Sequence, residues 1–216
     1  MRRKGKIAAA LLTACLLSAK TDAAGESEDL VEGIVIDATM NSISIATAKG
    51  ELLTFAMPDE VEKEGGLLLG MPVSVRLENG TAAGIADGVT QPQTDRDALA
   101  FAGSVLFMAE SGSLQGLASL AAFPLTVHLD GINETIVAPE ELEELGPSRI
   151  FTPARTDAIL SANLYALREE NGRWILGKTD GPNIVFRREG AGTGFYVADL
   201  YEGYTIAGID CTPEYE

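Results

Sequence analysis

Hydrophobic and polar positions alternate with a period of two through most of the first third of the chain. Leu30 to Asp37 sets Ile34 and Ile36 on one face and Val31, Gly33 and Val35 on the other. Ser42 to Thr47 alternates in the same way, and Glu51 to Ala56 places Leu53 and Phe55 in register. Pro58 to Lys63 reads as one helical turn closed by Gly65-Gly66. Val73, Val75 and Leu77 then alternate with Ser74, Arg76 and Glu78, and Asn79-Gly80 is a strong hairpin signal before Thr81 to Ala86. Five short strands so close together predict a small closed or nearly closed antiparallel β-barrel over residues 30–87, because closure removes exposed strand edges. In architecture it is similar to an OB-like or SH3-like barrel.

The period changes after a linker at residues 88–94, which carries Gln91, Pro92 and Gln93. Asp95 stands where a helix cap is expected. Leu99, Ala102, Leu106 and Ala109 form a helical stripe that Ser111-Gly112 breaks. Leu114, Leu117, Leu120 and Ala121 predict a second helix, stopped by Pro124, which lacks a backbone donor. Leu125, Val127 and Leu129 alternate with Thr126 and His128, Asp130-Gly131 turns the chain, and Ile132 to Val137 returns. Pro139 opens a short acidic helix to Leu145, and Thr152-Pro153 caps and starts another. The remaining pattern predicts a meander: a strand from Ser161 to Arg168, a turn at Glu169 to Gly172, then strands at 173–178, 184–187 and 195–198. Residues 201–216 carry no long pattern and read as a tail.

The predicted class is therefore α+β: a small antiparallel β-barrel domain, then a cone at residues 95–200 with helices packed on a curved antiparallel sheet. Two helices, a hairpin, short helices and a meander form an order that resembles the nuclear transport factor 2-like superfamily. Three segments carry the resemblance: Ala122-Phe123-Pro124-Leu125-Thr126-Val127, Ile150-Phe151-Thr152-Pro153, and Asn171-Gly172-Arg173-Trp174-Ile175-Leu176. The superfamily includes isomerases, dehydratases and many non-enzymatic binding domains, so the resemblance implies a fold without choosing a function. It also implies a homodimer formed through the sheet.

The N-terminus changes the picture of where the protein works. Met1 to Lys6 is basic, and Ile7 to Ala19 is an apolar run of 13 residues, short for a membrane span and fitting a signal segment over residues 1–24. Residues 25–29 follow as the end of an acidic tether. Leu12-Thr13-Ala14-Cys15 resembles the lipobox of bacterial lipoproteins, which would make Cys15 a lipidation site and a lipid anchor the sole membrane attachment. The alternative is an ordinary secretory signal cut near Ala19 or Ala23. On both readings the protein is extracytoplasmic, either anchored or secreted, and Cys211 has no disulfide partner within the mature domains.

The 216-residue chain carries a formal charge of −16, and without Arg2, Arg3, Lys4 and Lys6 it keeps 12 basic residues against 32 acidic ones. Such a surface repels phosphates, which excludes nucleic acid as a partner. Candidate chemistry is thin. His128 is the sole histidine, and Asp130 falls on the same strand face, so the two form a candidate base and orienting carboxylate. Resemblance to the superfamily's enzymes, which use a histidine or acidic base inside the cone, points to the same pair. One histidine and no thiol cluster leave no set of ligands for a structural or catalytic zinc, and no cofactor is implied. The glycine-rich run from Gly190 to Gly194 has no helix behind it and reads as a hairpin turn, not a phosphate loop. Phe151, Tyr165, Trp174 and Tyr196 are candidate ligand-binding aromatics on the cone's sheet, with ordinary core packing as the competing reading. The expectation is an exported, non-enzymatic binding or interaction protein of the bacterial cell envelope with a protein or small-molecule partner. The alternative is an isomerase- or dehydratase-like enzyme using His128 and Asp130.

Overall fold

A computed structural model describes residues 29–59, 61, 66–179, 181–188 and 204–210. The signal segment, Cys15, the strand expected at 195–198 with Tyr196, and Cys211 lie outside those residues, as does half of the turn expected at 58–63.

Five strands build the first sheet: β1 (Asp29–Ala38), β2 (Ser42–Ala46), β3 (Leu52–Ala56), β4 (Pro72–Glu78) and β5 (Thr81–Asp87). Their order is β3-β2-β1-β4-β5, with every pairing antiparallel. The expected barrel is not closed. β3 and β5 approach each other without a hydrogen-bonded ladder between them. The face that a free-standing barrel would turn to water is packed instead. Val35, Ile43, Ile45, Val73 and Val75 fill the sheet's own interior, whereas Ile34, Ile36 and Ala46 join the main core. Because successive side chains of a strand point to opposite faces, β1 is buried on both sides.

The partner of that outer face is α1 (Arg96–Ser111). Asp95 caps it as expected, its carboxylate accepting from the Ala98 N–H, and Gly112 closes it with φ 64°. Gly103 lets α1 lie close on β1: a Cβ there would stand 2.9 Å from Ile36 Cγ2. The linker is tied down at both ends. Glu32 Oε1 accepts from Ser74 Oγ and from the Val89 N–H, both at 3.2 Å, and Glu32 Oε2 accepts from Thr90 Oγ1 at 2.9 Å. These donors, led by Thr90, hold the Glu32 carboxyl below its ordinary pKa. At the far end Trp174 Nε1 donates to Thr94 Oγ1 at 2.9 Å.

The second sheet contains β6 (Ala121–Leu129), β7 (Ile132–Ile136), β8 (Glu169–Glu170), β9 (Arg173–Gly177), β10 (Asn183–Arg188) and β11 (Tyr204–Ile209), in the order β7-β6-β11-β10-β9-β8. It is mixed, not antiparallel, because β11 runs parallel to β6. The region read as a patternless tail thus supplies a strand inside the sheet, with Tyr204, Ile206 and Ile209 buried.

β11 also explains why α2 (Leu114–Ser119) ends before Pro124. The Leu120 carbonyl accepts from the Ile206 N–H at 2.8 Å and from Thr205 Oγ1 at 3.2 Å, which draws the chain from Ala121 into the sheet. Pro124 then falls within β6, between the residues that pair with Ile206 and Gly208, where the ladder slips and no donor is needed.

The remaining elements are α3 (Pro139–Leu145), α4 (Pro147–Ile150), α5 (Pro153–Leu160) and a 3-10 turn at Leu164–Ala166. The turn replaces most of the strand expected from Ser161 to Arg168. Asn163 Oδ1 accepts the Tyr165 N–H at 3.0 Å, a local bond that outcompetes the extended conformation. Between α1 and the second sheet lies a ring cluster. Phe186 stacks on Trp174 at 5.5 Å, and Phe101 and Tyr204 close around them at 5.1 to 6.2 Å.

Candidate functional site

A cleft of about 340 Å³ opens where the end of β6, α4, the start of α5 and the end of β11 converge. His128 reaches it because Val127 and Leu129 take the core face of β6. Asp130 reaches it from the turn, where φ 53° at Asp130 and φ 82° at Gly131 give the twist a two-residue hairpin requires. Ser148 and Arg149 come from α4, whose Ile150 is buried. Thr152 caps α5, and Arg155, three residues on, points inward to meet Asp210 just beyond β11.

That meeting forms the floor of the cleft. Arg155 Nε donates to Asp210 Oδ1 at 2.9 Å and Nη2 to Oδ2 at 2.6 Å, a bidentate pair with side chains 3% and 19% exposed. Arg155 Nη1 donates to the carbonyl oxygens of Arg149, at 3.1 Å, and Ile150. Asp210 Oδ1 also accepts the Asn183 N–H at 2.9 Å. The pair therefore ties α4, α5, β10 and β11 together.

The rim is looser. Arg149 Nη2 lies 3.4 Å from Asp130 Oδ2 and 3.7 Å from Glu134 Oε1, with Arg149 43% and Asp130 88% exposed. His128 does not take Asp130 as its orienting carboxylate. Its Nδ1 shares a hydrogen bond of 2.7 Å with Oδ1 of its cross-strand partner, Asn133. With that oxygen accepting, Nδ1 is the donor of the bond. The structure thus brings His128 and Asp130 into one open cleft without joining them.

Three of the candidate aromatics, Phe151, Tyr165 and Trp174, do not line this cleft. Trp174 is 2% exposed and stacked within the ring cluster. Phe151 packs partly buried against the core. Tyr165 is buried too; its hydroxyl has no hydrogen-bonding partner among the described residues, and burial, with Glu32 nearby, pushes its pKa up to about 12. Tyr196 lies outside the described residues. Arg149, Arg155 and Asp210 escaped the sequence reading because no short-range pattern links them. Only Thr152, already legible as a cap, placed Arg155 on the first turn of a helix.

Among the described residues no group of three or more histidine, cysteine or acidic side chains could hold a metal ion, and no helix is long and apolar enough to cross a membrane. Compared with protein-family models, curated proteins and solved structures, the chain matches none.

Proposed function

We propose that this chain is an exported, non-enzymatic binding protein whose ligand or partner engages the cleft between the β6–β7 turn and α5. The observation that carries this reading is the filled space between α1 and the second sheet. Phe101, Trp174, Phe186 and Tyr204 occupy the space between α1 and the sheet, where the resembling enzymes would keep an enclosed base. His128 stands outside that space on an open rim, with Asn133 and not a carboxylate as its hydrogen-bond partner. An orienting carboxylate and shelter from water favour a general base, and the open rim supplies neither to His128. Export rests on the basic and apolar N-terminal segment alone, with Cys15 as the candidate lipid anchor.

Native mass spectrometry of the full chain purified from its own envelope tests the proposal. A reproducible added mass that disappears in Arg149→Met is the expected result. A turnover that is lost in His128→Ala would replace this reading with the enzymatic one.

A further inference from the structure

The charges lining the cleft balance: Arg149 and Arg155 stand against Asp130 and Asp210. They are not equally available. Arg155 and Asp210 satisfy each other through two short bonds and are largely out of water, so a ligand that separated them would strand a buried charge. Arg149 meets Asp130 at 3.4 Å and Glu134 at 3.7 Å on the exposed rim, and pairs of that kind hold each other only weakly. Both groups can therefore turn to a ligand at small cost.

A ligand with one charge would meet attraction and repulsion side by side, and an anion would also face the field of a chain at −16. A ligand carrying both charges on neighbouring atoms satisfies both groups. We propose that the cleft binds a small zwitterion of the α-amino acid class. Its carboxylate meets the planar fork of Arg149, and its ammonium meets Asp130. The Ser148 hydroxyl adds a donor and acceptor at the rim. The volume of about 340 Å³ is large enough to admit a ligand of that size. This assignment rests on the reading of the cleft as the binding site.

The test is a titration of the full chain with glycine, followed by NMR at the Arg149 Nε–H and the His128 ring, with acetate and methylammonium as single-charge probes. Saturable shifts with glycine, weakened about tenfold or more for each single-charge probe and lost in Arg149→Met and Asp130→Asn, are expected. Both variants change exposed side chains, and circular dichroism verifies that they fold. Acetate or methylammonium binding as tightly as glycine at these signals would overturn the zwitterion and leave the cleft as the binding site. Silence of both signals with all three probes, together with a co-purified mass retained in Arg149→Met, would overturn both.

Discussion

Arg155 and Asp210 stand 55 residues apart and share the most buried ion pair described in the fold. Removing one partner of such a pair leaves the other charge without compensation, which costs about 3–5 kcal/mol. Asp210 has φ 52°, and asparagine tolerates that conformation, so Asp210→Asn removes the charge while sparing the backbone. We expect the variant's unfolding free energy, from denaturant titration, to fall by an amount in that range. Arg155→Met/Asp210→Asn should recover part of the loss, and a fully additive double mutant would contradict the coupling. Tyr165 poses the reverse case, a buried hydroxyl with no partner among the described residues. Tyr165→Phe should leave stability at neutral pH equal or higher by about 1 kcal/mol. The folded-state pKa is raised from 10.0 to about 12, so the stability linked to the neutral phenol is complete below pH 10 and lost as pH rises through 12. Alkaline unfolding followed in wild type and Tyr165→Phe should diverge above pH 10, and parallel curves would refute the shift.

At the level of elements, docking of α1 on β1 depends on the absence of a side chain at Gly103. Alanine there would gain about 1 kcal/mol of helix propensity. Its Cβ, however, would lie 3.1 Å from Ile36 Cβ and 3.2 Å from Ile36 Cα, atoms that move only with the strand. Overpacking of this kind costs about 1–3 kcal/mol, so we expect Gly103→Ala to lower the thermal midpoint. Ile36→Ala in the same chain should restore part of the contact geometry and make the two changes less than additive. Elements whose signals are local were legible in the sequence. Asn79-Gly80, Asp130-Gly131 and Asn171-Gly172 all turn with positive φ at both residues, and Asp95 and Thr152 cap helices by bonds to residues three positions on. What was not legible depends on distant partners. The end of α2 is set by Ile206, the strand placement of Pro124 by a slip against β11, and the cleft's floor by an aspartate beyond β11. Tyr204-Thr205-Ile206 does alternate, but only pairing with β6 and β10 makes that short alternation a strand.

For the molecule as a whole, the linker joins units that share a core. Ile34, Ile36 and Ala46 of the first sheet pack with α1 and with the apolar face of the second. Loss of either sheet exposes the other's buried face. Trp174, the single tryptophan, reports on the second sheet, whereas far-ultraviolet circular dichroism reports on both. Denaturation monitored by the two signals should give one coincident transition. Two separated midpoints would show that one sheet persists without the other. The candidate site follows the same logic, since its walls come from β6 and α4 and its floor from α5 and the end of β11.

The place of β11 bears on synthesis. A ribosome delivers β6 and β7 first, then β8 to β10, and last the strand that separates β6 from β10. Until Tyr204–Ile209 emerges, the nascent chain holds two sheet fragments, each with an open edge facing a vacant position. Open edges of that sort recruit stray strands. A chaperone that shields these two edges would therefore matter most in the interval before residue 209 appears.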